Sequence, residues 1–449
     1  MIHALIRAVL RALPGLLAII LFAPALGQAR AQDQAAPMII DITRGHLNPH
    51  PIAIPDFITP DGGQSALGVQ IAQAIRANLT RSGLFRVLDE KAYLERIADI
   101  DVQPRFGDWA TIQAQSLLVG SVADQPDGRV RISFRLWDVG GQIELDTRQL
   151  GTTPENWRRV AHRISDAVYE RLTGEKGYFD TRIVFVSETG PKIRRVKQLM
   201  IMDQDGANPS LLFQTGPNAL FLTPRFSPEA QKITYLSFET GRPRVFLLDI
   251  ESGRREVLGV FDGMAFAPRF SPDGEKVVFS RAINGNTDIF EMNLRSRSLV
   301  QLTRDPGIDT SASYSPDGSQ IVFESDRAGG QALYIMSAGG GPARRISGGD
   351  GRYGTPVWSP RGDLIAFTKQ SGGRFSIGIQ RPDGGGERIL TSSNLEEGPT
   401  WSPNGRVIMF TRTINGRPRL MSIDLTGQNL REVATPSDAS DPAWSPLLP

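Results

Sequence analysis

The chain has 449 residues, 40% hydrophobic and 22% charged, with 46 glycines, 31 prolines and no cysteine. That length suits two folded units, and the absence of cysteine excludes disulfides, thiolate catalysis, cysteine-ligated metals and lipid attachment at a processed N-terminal cysteine. Residues 1–31 hold three of the 50 basic residues and no acid; the remaining 47 basic against 48 acidic residues leave a net charge of −1, which favours neither nucleic acid nor an anionic membrane as partner.

The first segment in chain order has the three parts of a secretory signal. Arg7 and Arg11 are followed by an apolar stretch from Leu13 to Leu26, and Ala29-Arg30-Ala31 supplies small residues at −3 and −1. The stretch is shorter than the ~20 residues of a spanning helix and contains Pro14 and Pro24, so no direct membrane insertion is expected. Cleavage after Ala31 and export to the periplasm are the expectation, with residues 32–37 as a flexible lead.

Residues 38–175 have a mixed pattern that reads as a small α/β domain. Met38-Ile39-Ile40, Pro51 to Ile54, Ser116 to Val122 and Val130 to Trp137 read as strands. Leu67, Ile71, Ile75 and Leu79 recur every four residues, as on an amphipathic helix. Thr153-Pro154 reads as a cap and first helical position. Trp157, Val160, Ala161, Ile164, Val168 and Leu172 line the face of the helix that follows, until Gly174 ends it.

Residues 176–449 carry a repeat. An aromatic-Ser-Pro triplet occurs at Phe226, Phe270, Tyr314, Trp358, Trp401 and Trp444, spaced by 44, 44, 44, 43 and 43 residues. A proline lies two residues before the aromatic in five copies, with Ala312 in the third. A residue-Gly turn and short β-rich runs follow in each of the next four copies, giving four strands per unit, which is one propeller blade. The first triplet departs, with Glu229-Ala230 in place of x-Gly.

The run Arg182 to Val186 matches the second strand of a blade, and Asp441 to Trp444 has no second strand after it. The two should share one blade. The expected fold is therefore mainly β with a smaller α/β domain: a six-bladed β-propeller closed by N- and C-terminal segments sharing a blade.

Candidate chemistry is sparse. The four histidines are His3, His46, His50 and His162, so a Ser-His-Asp site within the propeller is excluded. His46 and His50 lack a third metal ligand at a recognisable spacing, and His162 reads as a solvated residue on the polar side of its helix. Asp203 to Asn208 resembles a calcium loop without its terminal carboxylate and reads as a hairpin turn. Gly339–Gly341 and Gly384–Gly386 read as blade turns, and the triplet serines as turn formers. No catalytic residue, cofactor or metal site is expected.

Loops alternate between the two faces of an up-down blade. Those leading into the triplets crowd one face, around the channel, and hold Met264, Phe266, Ala267, Thr310, Tyr353, Glu397 and Ser440. Exposed Met and aromatic residues beside small polar groups read as a protein-binding patch.

Signal, α/β domain and six Pro-x-aromatic-Ser-Pro-x-Gly blades closed by Pro442-Ala443-Trp444-Ser445-Pro446 resemble the TolB family of periplasmic propeller proteins over the whole chain. The blade motif alone also occurs in propellers of prolyl-oligopeptidase-type enzymes; the layout, blade number and terminus supply the specificity. The resemblance implies a non-enzymatic scaffold that binds the lipoprotein Pal through the propeller and TolA through the mature N-terminal segment, residues 32–44. It also implies a role in outer-membrane constriction at division and in envelope integrity. Carried over by position, the family's Pal contacts fall on Met264, Ala267 and Thr310, with Met264 where relatives carry a histidine. Two alternatives stand beside it: a propeller-type hydrolase with a channel site, and a glycan-binding propeller, for which Phe266 and Tyr353 are the candidate exposed aromatics.

Overall fold

The computed structural model describes residues 48–449 apart from 192–193, 214–219, 240, 260 and 262. The expected signal, the lead at 32–37, the strand at 38–40, the segment 32–44 and His46 lie outside the described residues. Among the described residues no helix is long and apolar enough to cross a membrane.

The first domain is built from β1 (His50–Ala53), α1 (Ala66–Arg81), β2 (Phe85–Val87), α2 (Phe106–Thr111), β3 (Ser116–Asp124), β4 (Val130–Asp138), β5 (Ile143–Thr152) and α3 (Trp157–Thr173). Its sheet runs in the order β2-β1-β3-β4-β5, with β1 parallel to β2 and β3 and the remaining pairs antiparallel. The apolar stripes of α1 (Ile71, Ile75, Leu79) and α3 (Val160, Ile164, Val168, Leu172) pack on one face against Ile52, Leu118 and Phe134. Phe106 and Trp109 of α2 cover Leu117, Val119 and Trp137 on the other. Cover on both faces is why β3 opens as a continuous buried run, and each large side chain so buried contributes roughly 1.5–3 kcal/mol.

The helix ends follow from local chemistry. Ser65 Oγ accepts the Gly68 N–H at 3.0 Å, capping α1. Gly174, at φ 73°, ends α3 by donating its N–H to Glu170 O at 2.9 Å. Thr153-Pro154 opens a short 3₁₀ turn, Pro154–Asn156, rather than α3 itself, and the Thr153 side chain caps no backbone N–H.

Six four-stranded blades follow. Blade one joins Asp438–Trp444 to Arg182–Thr189, Val196–Asp203 and Ser210–Leu211, so the C-terminal strand is innermost, with Trp444 opposite Ile183 and Asp438 opposite Glu188. The innermost strands of blades two to six are Phe221–Phe226, Met264–Phe270, Asp309–Tyr314, Arg352–Trp358 and Glu396–Trp401. The shared-blade closure is present as expected.

The triplets build the turns. Ser271 Oγ accepts the Lys276 N–H at 2.9 Å while the Gly274 N–H bonds Ser271 O at 2.9 Å; Ser315 and Ser402 repeat the pattern with Gln320 and Val407. These serines are buried turn formers. Blade two, lacking the glycine, closes its turn with the Lys232 N–H on Ala230 O at 2.8 Å.

The α/β domain docks on the Ser-Pro face. Glu175 accepts from Arg406 Nε at 2.6 Å and Arg361 Nη1 at 2.8 Å, and the Lys176 carbonyl accepts from Asn404 Nδ2 at 3.1 Å. Gln204, in the hairpin turn that Asp203 to Asn208 forms, bonds Asn78 of α1 at 3.2 Å. His162 corrects its sequence reading. It is buried in this interface, with Nδ1 2.9 Å from Asn78 Nδ2, because the propeller packs on the side of α3 that the helical pattern left to solvent.

Candidate functional site

Each innermost strand starts at the face opposite the α/β domain and ends at its Ser-Pro turn, so its first residues form the rim of the channel. Counting back from the triplet aromatic sorts the rim by position. Six residues back lie Leu220, Met264, Ile308, Arg352, Leu395 and Asp438. Met264 is 41% exposed and Ile308 48%, with Leu220 half-buried beside them in blade two. Blades two to four thus present an apolar arc. Ile308 was missed in the sequence because it stands outside the strand run; counting back from Tyr314 places it level with Met264.

Five residues back, every side chain is buried: Phe221, Ala265, Asp309, Tyr353, Glu396 and Ala439. Tyr353 is therefore corrected. Expected on the surface, it is fully buried, packed on Phe367 with its hydroxyl 2.8 Å from Glu387 Oε2. Phe266, Thr310, Glu397 and Ser440 all lie four residues back, on the other side of the strand; Tyr353 lies one residue out of phase with them, and strand side chains alternate.

The other candidates divide. Phe266 is half-buried and Glu397 is exposed. Thr310 and Ser440, expected as surface contacts, are buried: Thr310 gives its hydroxyl to Glu324 and Ser440 gives its own to Glu188 Oε1 at 2.9 Å. Both hydroxyls are committed within the protein.

Three residues back, all six strands turn through positive φ: Thr223 (48°), Ala267 (50°), Ser311 (56°), Thr355 (46°), Gly398 (67°) and Asp441 (51°). The strand register shifts across these positions in every blade. Proline two residues before the aromatic in five of the strands has no N–H for the ladder and suits a bulge there, and it is the sequence signal in those five; the strand with Ala312 takes the same bulge without it. The freed N–H groups point to the preceding blade: Thr355 N–H to Glu324 Oε2 at 2.7 Å, Asp441 N–H to Thr411 Oγ1 at 3.0 Å, and Ser311 N–H to Ser280 Oγ at 3.2 Å. Ala267 is thus a backbone device as well as a rim residue.

Three of the rim acids are matched with arginines. Both Asp309 carboxylate oxygens accept from Arg327 Nη2, at 2.8 and 2.9 Å, Glu396 accepts from Arg412 Nε at 2.7 Å, and Asp438 accepts from Arg417 at 2.8 Å and Arg195 at 3.0 Å. Burial would raise Asp438, but Arg417 and Arg195 outweigh it and hold the carboxyl below the ordinary range. Deeper in the ring, desolvation pushes Asp441 up against the pull of Arg225. Glu397, though open to solvent, is raised by partial desolvation inside the ring and then by Asp441.

Two further groups fit no reaction. Burial pushes His50 down to about 4, and its Nε2 lies 2.8 Å from Ser116 Oγ inside the α/β domain. His162, Asp203 and Asp205 converge at the domain interface, but Arg158 pairs with Asp205 and Arg81 lies 3.9 Å from it, so side-chain cations already occupy that cluster.

Comparison with known proteins gives two family matches: the TolB amino-terminal domain over residues 38–145 and the TolB beta propeller domain over 169–448. A crystal structure of TolB from Acinetobacter baumannii is 32% identical with a TM-score of 0.80, covering 89% of this chain and 97% of that one. A putative TolB from Agrobacterium tumefaciens is 22% identical with a TM-score of 0.45, covering 59% of this chain and 93% of that one.

Proposed function

The chain belongs to the TolB family, and on that premise we propose that it is a periplasmic, non-enzymatic scaffold of the Tol–Pal system whose rim arc binds the lipoprotein Pal. The observation that carries the reading is the exposed Met264 and Ile308 in matching positions of adjacent blades, beside Phe266 and opposite the face the α/β domain covers. Large apolar side chains at the centre of a polar rim are the anchors that dominate protein interfaces. Met264 and Phe266 supply the apolar contact, Glu397 a charged flank, and Ala267, Thr310 and Ser440 fix the strand shape beneath it.

TolA takes the segment 32–44 in this reading, and the protein thereby links the outer-membrane-associated lipoprotein to TolA during constriction at division. Hydrogen exchange with and without purified Pal tests the face. Protection should fall on residues 264–267 and 308–311 and spare the Ser-Pro turns; protection confined to those turns would refute it. Deleting residues 32–37 should weaken TolA binding, and unchanged affinity would remove that segment from the scheme.

A further inference from the structure

We infer that the Ser-Pro mouth of the channel is an oxyanion site held by Arg225 and Arg269, a binding function independent of the rim. The residue just before each triplet aromatic lines this mouth in five blades: Arg225, Arg269, Ser313, Thr400 and Ala443. Adjacent blades two and three therefore set two guanidinium groups on one side of a cavity of about 370 Å³. That volume lies in the range of small-molecule sites. No described residue of the α/β domain lines it, because that domain docks through the turns of blades one, five and six. The mouth stays open to a ligand.

Neither arginine has an acid within ion-pair distance among the described residues. Arg225 Nη1 donates to the Pro224 carbonyl at 2.6 Å, but its Nε is buried with no hydrogen-bond partner. The Arg269 side chain makes no hydrogen bond or ion pair to any described residue. Asp441 is the acid that acts on Arg225 through the channel, without reaching ion-pair distance. Glu229 also lines the mouth, yet it is exposed and pairs with neither.

Enclosed like charges normally relax by losing a proton, as lysine does when buried. Arginine cannot, since its guanidinium stays charged in proteins. Burial penalises both groups here, and Arg225 adds repulsion at Arg269. A bound anion is the remaining compensation. The planar guanidinium fork matches the two oxygens of a carboxylate or phosphate, so the ligand is a compact oxyanion of that kind.

The test titrates the full exported chain with inorganic phosphate and, separately, succinate, at constant ionic strength set with chloride, reading calorimetric binding and the melting temperature. Saturable binding with a rising melt is expected for at least one. A response to phosphate alone assigns a phosphate-type ligand, and a response to succinate alone a carboxylate. Arg269→Met should bind about tenfold or more weakly, the loss of one charge-assisted hydrogen bond, and melt no lower than wild type without ligand. Asp441→Asn keeps a residue type that tolerates positive φ and should bind more tightly. No saturable response to either anion, or unchanged affinity in both variants, would overturn the site.

Discussion

The Glu324 carboxylate of blade four accepts the backbone N–H of Thr355 in blade five at 2.7 Å, while its other oxygen accepts the hydroxyl of Thr310 in its own blade. One side chain thus ties a strand bulge to the neighbouring blade in a buried seam. Glu324→Ala leaves the Thr355 N–H unpaired and should cost about 1–3 kcal/mol. Denaturant melts read this directly; a midpoint equal to wild type would show that the bulge holds without the carboxylate. Thr310→Arg should likewise destabilise the fold, since its hydroxyl is spent in the same seam.

Removing residues 441–449 should destabilise the propeller far more than loss of a tail usually does. The segment holds Trp444, whose Nε1 bonds Thr181 Oγ1 at 2.8 Å, and whose neighbour Ser445 donates its N–H to the Arg182 carbonyl at 2.9 Å. Losing a buried Trp alone costs about 3–5 kcal/mol, and an opened blade adds unpaired backbone groups. Thermal melts of the truncated and full-length proteins decide it. Midpoints within a degree or two of each other would contradict the closure.

The domain interface should respond to acid. Burial pushes the Glu175 carboxyl up, but Arg406 and Arg361 outweigh it and hold it below the ordinary carboxylate range. A depressed folded-state pKa gives stability that is complete above the unfolded-state value and is lost as pH falls through the folded-state value. Glu175→Gln should therefore cost about 1 kcal/mol near neutral pH, after allowance for solvent screening, and nothing once the carboxyl is protonated. Melts of both proteins from pH 7 down to the acid limit check this; a gap that persists unchanged in acid would assign the effect to packing.

The blades were legible because their signal is local. Ser-Pro-x-Gly makes its turn from its own atoms, and a repeated aromatic marks each inner strand, so blade number and closure follow from spacing. What was not legible depended on partners distant in sequence. His162 was read as solvated because a helical pattern cannot show that a second domain covers the far side of α3. The edge strand β5 is mostly exposed and carries no apolar alternation, and α2 is too short for a periodic stripe. Tyr353 differs, because its phase relative to Trp358 is in the sequence and counting from the aromatic turns it inward.

The rim reading is tested most directly by the affinity of purified Pal for three proteins: wild type, Met264→Arg and Ser271→Ala. Met264 is exposed, so arginine there should leave the melt within about 0.5 kcal/mol of wild type while placing charge in the apolar arc. Ser271 lies on the opposite face. The prediction is at least about tenfold weaker binding for Met264→Arg, the loss of a central anchor, with Ser271→Ala binding as wild type. Wild-type affinity in a correctly folded Met264→Arg protein would contradict the assignment of the rim arc as the partner-binding face.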